Sequence, residues 1–213
     1  MRKPSVLLAD DHLIVAEGLR GLLTPHFDLV GIVGDGLELI ESAESLRPDI
    51  IVADITMPSL NGIEAARRLT AAGSRSRVII LTMHREVTYA MRALEAGAVG
   101  FVLKHSATSE LVMAIREAIA GRTYISPLIA GDLLRSYQDG GHPQSDRLGD
   151  LTRRQREVLQ LVAEGHSSKE IATLLGISRR TAEFHKARVM EVLGVRTTAE
   201  LTHYAIRHGL ISS

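Results

Sequence analysis

The stretch SVLLADDH, residues 5–12, decides the fold of the N-terminal part of the chain. It is an apolar run that ends in two adjacent carboxylates, and four further apolar runs follow it: DLVGIVG, DIIVA, RVIIL and GFVL. Amphipathic helical patterns separate them, at Ile14–Leu23, Leu37–Leu46, Gly62–Ala72, Val87–Ala96 and Ser109–Ala120. Nearly unbroken Val, Ile and Leu runs are typical of strands buried on both faces. The alternation therefore predicts an α/β fold with a five-stranded, doubly wound parallel sheet.

Composition excludes several classes of function. Hydrophobic residues make up 45% of the 213-residue chain and charged residues 23%, which is ordinary for a globular protein. Only 3% are aromatic and none is Trp, which disfavours a base-stacking platform for single strands. Without cysteine there is no disulfide framework, thiolate zinc site or cysteine nucleophile. No apolar stretch approaches the roughly 18 residues of a membrane span and no signal peptide is evident, so we expect no membrane association and a cytoplasmic location.

Charge is distributed unevenly, although 25 Lys and Arg balance 25 Asp and Glu. Residues 1–125 contain 13 basic and 15 acidic side chains, whereas residues 149–213 contain 10 basic and 7 acidic ones. This asymmetry favours two separate tasks, and a polyanionic partner would bind the C-terminal part.

The texture of the sequence changes after Gly121. Ser136–Asp150 is rich in Gly, Ser, Asp and Gln and is typical of a linker. From Leu151 onward four helical patterns follow one another, with Ser and Thr at their starts and Gly at their ends. We therefore divide the chain into an α/β domain at 1–122, a linker at 123–148 that includes a connecting-helix pattern, and a smaller all-α four-helix domain at 149–213.

Polar side chains follow four of the five predicted strands. Asp10 and Asp11 follow the first strand, Asp54 the third, Thr82 the fourth and Lys104 the fifth. Because parallel strands end at one edge of a sheet, we expect these five side chains to meet there. Each has an ordinary explanation when taken singly, such as a helix cap, but their common position at strand ends favours a shared site.

The residue types at this edge suit phosphoryl transfer. Three carboxylates beside one ammonium need a cation, and oxygen ligands with room for water favour Mg²⁺. A carboxylate beside Mg²⁺, with a lysine and a hydroxyl that can bind oxyanions, can accept a phosphoryl group. The sequence thus predicts a phosphoryl acceptor with Mg²⁺ as its cofactor.

Residues 4–121 resemble the receiver domain of bacterial response regulators, which has a flavodoxin-like fold. The resemblance rests on the paired acids, on DITMPSLNG from Asp54, on Thr82 and on AGAVGFVLK ending at Lys104. Many receivers have Pro after that lysine, with a cis bond, whereas this chain has His105. A cis bond without Pro costs about 2.5–4 kcal/mol, so we expect the following loop to differ.

The resemblance implies a role for each matching residue. Asp54 would be the phosphoacceptor, Thr82 and Lys104 would contact the phosphoryl oxygens, and Phe101 would be a switch aromatic that turns inward. The expected Mg²⁺ ligands are Asp10, Asp11, Asp54 and the backbone carbonyl of Thr56, with Asp10 acting through the metal's waters.

Enzymatic alternatives are weak. An aspartyl-phosphate phosphohydrolase usually has a second acid two residues after its nucleophile, where this chain has Thr56. A flavodoxin-like cofactor binder needs a phosphate-binding loop after the first strand, where this chain has acids that would repel phosphate. We therefore expect no enzymatic activity beyond self-phosphorylation on Asp54 from a histidine kinase or a small phosphodonor.

The third helical pattern of the C-terminal part combines an apolar side with a mostly basic one. Ala182, His185, Val189 and Leu193 recur at about one-turn spacing and indicate the inward face. A Phe184 side chain on the outward face would expose apolar surface to water unless it contacts a partner molecule. This argues against a merely solvated helix and favours a helix-turn-helix.

Residues 149–210 resemble the LuxR-type helix-turn-helix of the NarL/FixJ class of response regulators. The matching motifs are LTRRQREVL, SKEIA, ISRRTAEFH and VLGV. The resemblance implies that the helix Arg179–Leu193 enters the major groove, with Glu183, Phe184 and Ala187 facing base edges. Glu can accept from cytosine N4, whereas Phe and Ala can touch thymine methyls. The candidates for phosphate contacts are Lys169, Arg179, Arg180, Thr181, Lys186 and Arg188.

Together these features predict a phosphorylation-controlled, DNA-binding transcription regulator. Its expected partners are a sensor histidine kinase, a double-stranded DNA operator with two-fold related half-sites, and a second copy of the chain. The homodimer would pair through the last helix, although closing the small core explains that helix nearly as well. The alternative is a DNA-binding regulator that is independent of phosphorylation and gated by a partner of the receiver.

Overall fold

The apolar runs of the N-terminal part form parallel strands, as their composition predicts. The computed structural model describes residues 2–138 and 147–211, which divide into two units. The strands of the first unit are β1 Ser5–Ala9, β2 Asp28–Val33, β3 Ile50–Asp54, β4 Arg77–Thr82, β5 Gly100–Leu103 and β6 Tyr124–Ile125. Its helices are α1 Leu13–Leu23, α2 Gly36–Leu46, α3 Gly62–Ala71, α4 Val87–Glu95, α5 Ala107–Ile119 and α6 Pro127–Gln138. The predicted α/β fold is confirmed.

All strand pairs in this sheet are parallel, in the order β2-β1-β3-β4-β5-β6. The chain runs outward from β1 to β2 and then crosses to the other side of β1 to form β3. Loops at the carboxyl ends of β1 and β3 therefore diverge, and the crevice between them is the usual place for a ligand in such folds.

Two apolar cores flank the sheet. Alternate residues of each strand point to opposite faces, so Leu7 packs with α2, α3 and α4 whereas Val6 and Leu8 pack with α1 and α5. The central strands are buried on both sides, which explains why their sequences are continuously apolar rather than alternating.

The sheet has six strands, so the prediction of five was wrong by one. Tyr124–Ile125 lies beside Gly100 and Phe101 of β5, in parallel register. Two residues are too few to show a periodic pattern, and a short edge strand needs no long apolar run. The strand was therefore hidden in the segment that we predicted as the start of a linker.

Helix α6 follows β6 directly and packs against the rest of the first unit. Its Ile129 and Leu133 are buried, and Ile129 joins the core on the α2–α4 side. The remainder of the predicted linker lies mostly at residues 139–146, outside the described residues.

The second unit consists of the four predicted helices. They are α7 Arg153–Ala163, α8 Ser168–Leu175, α9 Arg179–Leu193 and α10 Thr198–Arg207. Each begins after a Thr or Ser whose hydroxyl accepts a backbone N–H of the first turn; these caps are Thr152, Ser167, Ser178 and Thr197. One apolar core joins all four.

The connection between α8 and α9 is a three-residue turn. Gly176 ends α8 at a φ of 63°, in the left-handed region that favours glycine, and Ser178 then caps α9. Local residue choice therefore produces the tight turn of a helix-turn-helix. Within the described ranges, every helix is too short or too polar to cross a membrane.

Candidate functional site

The polar residues predicted to meet lie at the carboxyl ends of four neighbouring strands. In the strand register Asp54 lies beside Leu81, and Thr82 lies beside Leu103, the residue that precedes Lys104. The sheet therefore brings β1, β3, β4 and β5 to one edge with their final residues in line.

Lys104 links the two buried carboxylates at this edge. Its Nζ lies 2.7 Å from Oδ2 of Asp10 and 2.8 Å from Oδ2 of Asp54. The three side chains are 9%, 1% and 7% exposed, in that order. Removing three charges from water is costly, and here the mutual attraction offsets that cost only while all three are present. Any charge added at this edge would therefore disturb the balance among the three side chains.

Burial and charge act in opposite directions on these groups. Burial raises the pKa of Asp54 above its ordinary value, although the nearby Lys104 ammonium works against this. Burial alone would lower the pKa of Lys104, but the Asp54 and Asp10 carboxylates outweigh it and the pKa is raised. The lysine therefore stays protonated at neutral pH and can bind an oxyanion.

A more exposed group of possible metal ligands lies beside the buried cluster of Lys104, Asp10 and Asp54. One ligand atom each from Asp10, Asp11, His12 and Asp54 lies within 4.8 Å of the others. Asp11 does not cap α1, because α1 begins after His12 without a side-chain cap. Helix capping thus does not explain Asp11, and one of its carboxylate oxygens belongs to this group of possible metal ligands.

His12 was not among the predicted site residues. Its Nδ1 lies 2.8 Å from Oδ1 of Asp11, and its backbone N–H donates to Oδ1 of Asp10 at 3.0 Å. The only sequence signal was its position directly after the two acids, which does not reveal on which side of the chain the imidazole lies.

Gly62, the first residue of α3, explains how this helix can start so close to Asp54. A Cβ on Gly62 would lie 2.0 Å from the carbonyl oxygen of Asp54, so any side chain there would displace the strand end. Asn61 caps α3, and its Oδ1 accepts the N–H of Glu64 at 2.9 Å. The Asn-Gly pair therefore positions the loop against β3.

The remaining predicted residues lie around this centre. Thr82 is fully buried, and its Oγ1 accepts the N–H of His84 at 3.1 Å. Thr56 is half-buried in the loop after β3. Phe101 is also fully buried, so its ring already has the inward orientation.

The loop after β5 has ordinary backbone geometry. Lys104–Ser106 form a short 3-10 turn that leads into α5. Among the residues that the structure describes, no peptide bond is cis, including the one before His105.

The predicted DNA-contacting residues lie on α9, except for Lys169, which lies on α8. Glu183, Phe184, Ala187 and Arg188 are exposed, and the Phe184 ring is 65% exposed. The inward face agrees with the pattern: Ala182, Val189 and Leu193 are buried and His185 is half-buried. An exposed aromatic on a helix that follows a tight turn is suited to contacts in a groove.

Two of the candidates for DNA contact bind each other in this structure. Nε of Arg179 donates to Oε1 of Glu183 at 2.8 Å, one turn apart on α9. Arg180 and Lys169 are exposed, whereas Thr181 and Lys186 are half-buried. Thr181 donates its N–H to Oγ of Ser178 at 3.1 Å. Nη1 of Arg188 likewise donates to Oε2 of Glu191 at 2.5 Å, so two of the basic candidates on α9 are paired with neighbouring glutamates.

Comparison with known families matches both units. Residues 6–116 match the response regulator receiver domain, and residues 150–205 match the bacterial regulatory proteins of the luxR family. The transcriptional regulatory protein MctR of Rhizobium johnstonii is 36% identical over 99% of this chain and 96% of its own length. The response regulator GacA of Pseudomonas aeruginosa is 32% identical over 98% of both.

A solved relative has been captured on DNA. The structure of RcsB from Salmonella enterica serovar Typhimurium, bound to the promoter P1flhDC in the presence of the phosphomimetic BeF₃⁻, is 28% identical to this chain. It covers 95% of this chain and 98% of its own, with a TM-score of 0.60.

Proposed function

Since this chain belongs to the response regulators that join a receiver domain to a LuxR-type DNA-binding domain, we propose that phosphorylation of Asp54 controls its binding to DNA. The observation that carries the proposal is the contact of Lys104 with both Asp10 and Asp54 at the carboxyl edge of the sheet. Charged groups are rarely buried to this degree unless they are paired, and here the two acids share one lysine.

Phosphoryl transfer uses these side chains directly. An Oδ of ionised Asp54 attacks the phosphorus of the donor, and the bond from phosphorus to the kinase histidine or to the acetate of acetyl phosphate breaks with its electron pair. The product is an acyl phosphate on Asp54, and Lys104 moves from the carboxylate to an oxygen of the new group. Thr82 lies at the end of the adjacent strand, where its hydroxyl can donate to a second oxygen.

The donor set at this edge fits Mg²⁺. Asp10, Asp11 and Asp54 offer carboxylate oxygens within 4.8 Å of one another, beside one nitrogen of His12, and Thr56 would add its backbone carbonyl. Oxygen ligands with open positions for water are what Mg²⁺ prefers. When bound, it neutralises negative charge on the phosphoryl oxygens.

The conformational response begins at Thr82, Lys104 and Phe101. Movement of Thr82 and Lys104 toward the phosphoryl group would displace the ends of β4 and β5. Since Phe101 is already buried, the response involves repacking around this ring rather than its entry from solvent. A coupling of only about 1–3 kcal/mol to DNA binding would suffice.

In the second unit, α9 would read the major groove. Glu183, Phe184 and Ala187 would face base edges, and the phosphate contacts would come from Lys169, Arg179, Arg180, Thr181, Lys186 and Arg188. Two copies paired through α10 would bind two-fold related half-sites, and pairing would multiply operator affinity by roughly 10²–10⁴. The proposal includes a sensor histidine kinase as phosphodonor, the cytoplasm as compartment, and no enzymatic activity on other substrates.

Intact mass after incubation with acetyl phosphate and Mg²⁺ tests the proposal. We expect one added phosphoryl group on the wild type and none on Asp54→Asn, which keeps the shape of the side chain without the nucleophilic charge. Phosphodonor should then increase operator binding by the wild type only. Stimulation that survives in Asp54→Asn would contradict the proposal and favour the regulator that is independent of phosphorylation.

A further inference from the structure

Ser126, between β6 and α6, is a buried residue outside the acceptor site whose polar groups reach three other elements. It is 0% exposed, and no predicted role was assigned to it. Its backbone N–H donates to the carbonyl of Phe101 at 2.9 Å, at the place where β6 ends. A fully buried serine must have hydrogen-bond partners, and those partners identify what it holds in place.

The hydroxyl of Ser126 extends the edge of the sheet by one hydrogen bond. Its Oγ accepts the backbone N–H of Leu103 at 3.2 Å. Leu103 is the last residue of β5 and directly precedes Lys104, whose ammonium contacts Asp54. The side chain therefore acts in place of a main-chain acceptor beyond the end of β6.

Glu110 orients this hydroxyl. The Ser126 hydroxyl donates to Oε2 of Glu110, which lies on α5, so that one lone pair faces Leu103. Burial, followed by the nearby Glu110 carboxylate, raises the pKa of Tyr124, which agrees with a position of Glu110 beside β6. Both functions of the hydroxyl, donor and acceptor, are thus in use.

Ser126 also starts α6. Its carbonyl accepts the N–H groups of Ile129 and Ala130, at 2.8 and 3.1 Å. A serine at the start of a helix usually turns its hydroxyl to that helix. Here the hydroxyl binds β5 instead, so a single residue connects the strand that leads to Lys104 with the last helix described before residue 139.

From this geometry we propose that Ser126 is a positioning residue for phosphoryl transfer. It holds the end of β5, and thereby the Lys104 ammonium, in line with Asp54, while Glu110 holds the serine. The inference rests on the proposed phosphorylation of Asp54. It goes beyond that proposal in giving a role to a residue outside the receiver motifs.

The test is the rate of adduct formation by the full chain with Mg²⁺ over a range of acetyl phosphate concentrations. Losing one buried hydrogen bond that aligns a reacting group should lower the maximal rate of Ser126→Ala by about threefold to tenfold. The half-saturating acetyl phosphate concentration should change less, since the loss falls on alignment during transfer. Glu110→Ala should show a smaller decrease of the same kind, and it provides the test if Ser126→Ala does not fold.

Two matched variants separate positioning from stability. Glu110→Gln keeps an oxygen acceptor for the serine hydroxyl, so we expect a maximal rate close to that of the wild type. Ser109→Ala removes an exposed hydroxyl from the same helix, one that donates only to the carbonyl of Ser106 among the described contacts, and it should not change the rate.

The outcomes distinguish this inference from the proposed function. If folded Ser126→Ala and Glu110→Ala react at the wild-type maximal rate and only melt at a lower temperature, Ser126 is merely structural and the inference is overturned. If the wild type itself forms no adduct, the proposed function fails, and this inference fails with it.

Discussion

The edge of the sheet that holds Asp54 and the outer face of α9 differ in how their candidate residues are brought together and in how deeply these residues are buried. At the sheet edge, Asp10, Asp54 and Lys104 come from three distant parts of the chain, and their side chains are less than one-tenth exposed. On α9, the candidate residues lie within three turns of one helix, and most are exposed.

This difference has an energetic consequence. Buried charges depend on one another, so the loss of any one leaves the others uncompensated. Exposed residues on a capped helix are nearly independent of the fold, because water replaces whatever contact is lost. We therefore expect substitutions at the sheet edge to change stability and chemistry together, and substitutions on α9 to change DNA binding alone.

The largest expected effect is that of Lys104→Met. It leaves Asp10 and Asp54 close together without a cation, which should lower the free energy of unfolding by about 2–4 kcal/mol in Mg²⁺-free buffer. Phosphorylation by acetyl phosphate should slow by roughly 10²-fold, since a charge that stabilises the transferring group is lost. Thermal unfolding and intact mass measure the two effects.

The metal provides the control for this variant. Mg²⁺ should stabilise Lys104→Met more than the wild type, because the vacated ammonium position leaves the acids more negative. Equal Mg²⁺-induced shifts in the two proteins would show that the acids and the metal are not coupled.

The second-largest expected effect concerns the ion pairs of the second unit, where a buried glutamate is compared with an exposed one. Glu157 is 3% exposed and accepts from Arg153 at 2.9 Å and from Arg154 at 2.7 Å. Glu157→Ala should lower the free energy of unfolding by about 1–2 kcal/mol, reduced from a fully buried case because both arginines reach water.

The matched control is Glu183→Ala, which removes a 49%-exposed glutamate that pairs with Arg179 one turn away. Its loss should cost less than about 0.5 kcal/mol. Denaturant unfolding of the full chain compares the two. Equal losses would mean that burial does not govern these ion pairs.

Phe184→Ala tests the expectation that substitutions on the exposed face of α9 change DNA binding and not stability. The ring is exposed, so the free energy of unfolding should change by less than about 0.5 kcal/mol. Affinity for operator DNA recovered by selection from random sequences should fall by about threefold to tenfold, since an apolar base contact is lost. Met113→Ala, at a 49%-exposed position on α5, should change neither quantity. A large loss of stability without loss of affinity would place the ring in the core rather than in the groove.

The smallest effect concerns pH at the opposite end of β1. Hydrogen bonds from the backbone and hydroxyl of Ser5, both 2.8 Å, lower the pKa of Asp49 below its ordinary value. A carboxyl with a lower pKa in the folded state adds stability above its unfolded pKa, and this stability is lost as the pH falls through the folded pKa.

Since Asp49 is largely exposed, the gain at neutral pH should be below about 1 kcal/mol. Asp49→Asn should accordingly be less stable than the wild type at pH 7, and the difference should shrink as the pH falls, as measured by urea unfolding. A difference that is constant from pH 7 to pH 2 would exclude ionisation as its cause.

Much of the molecule was predictable because its signals are local. Apolar runs placed β1 to β5, and Thr152, Ser178, Gly176 and Gly194 marked helix ends within a residue or two. Capping depends on groups only a few residues apart, so it is readable from a short window. The convergence of Asp10, Asp54 and Lys104 was also predictable, because parallel strands share one polarity.

Other features depend on groups that are far apart in the chain. The burial of Phe101, the approach of His12 to Asp11, and the contacts of Ser126 with Leu103 and Glu110 give no periodic signal. The sequence by itself therefore determined the longer strands and helices, their order and which polar residues follow the strands, because these follow from local periodicity and strand polarity. Only the tertiary structure decided that β6 closes the sheet and that Ser126 joins β5, α5 and α6, because a two-residue strand and a lone serine acquire their roles from neighbours that folding brings together.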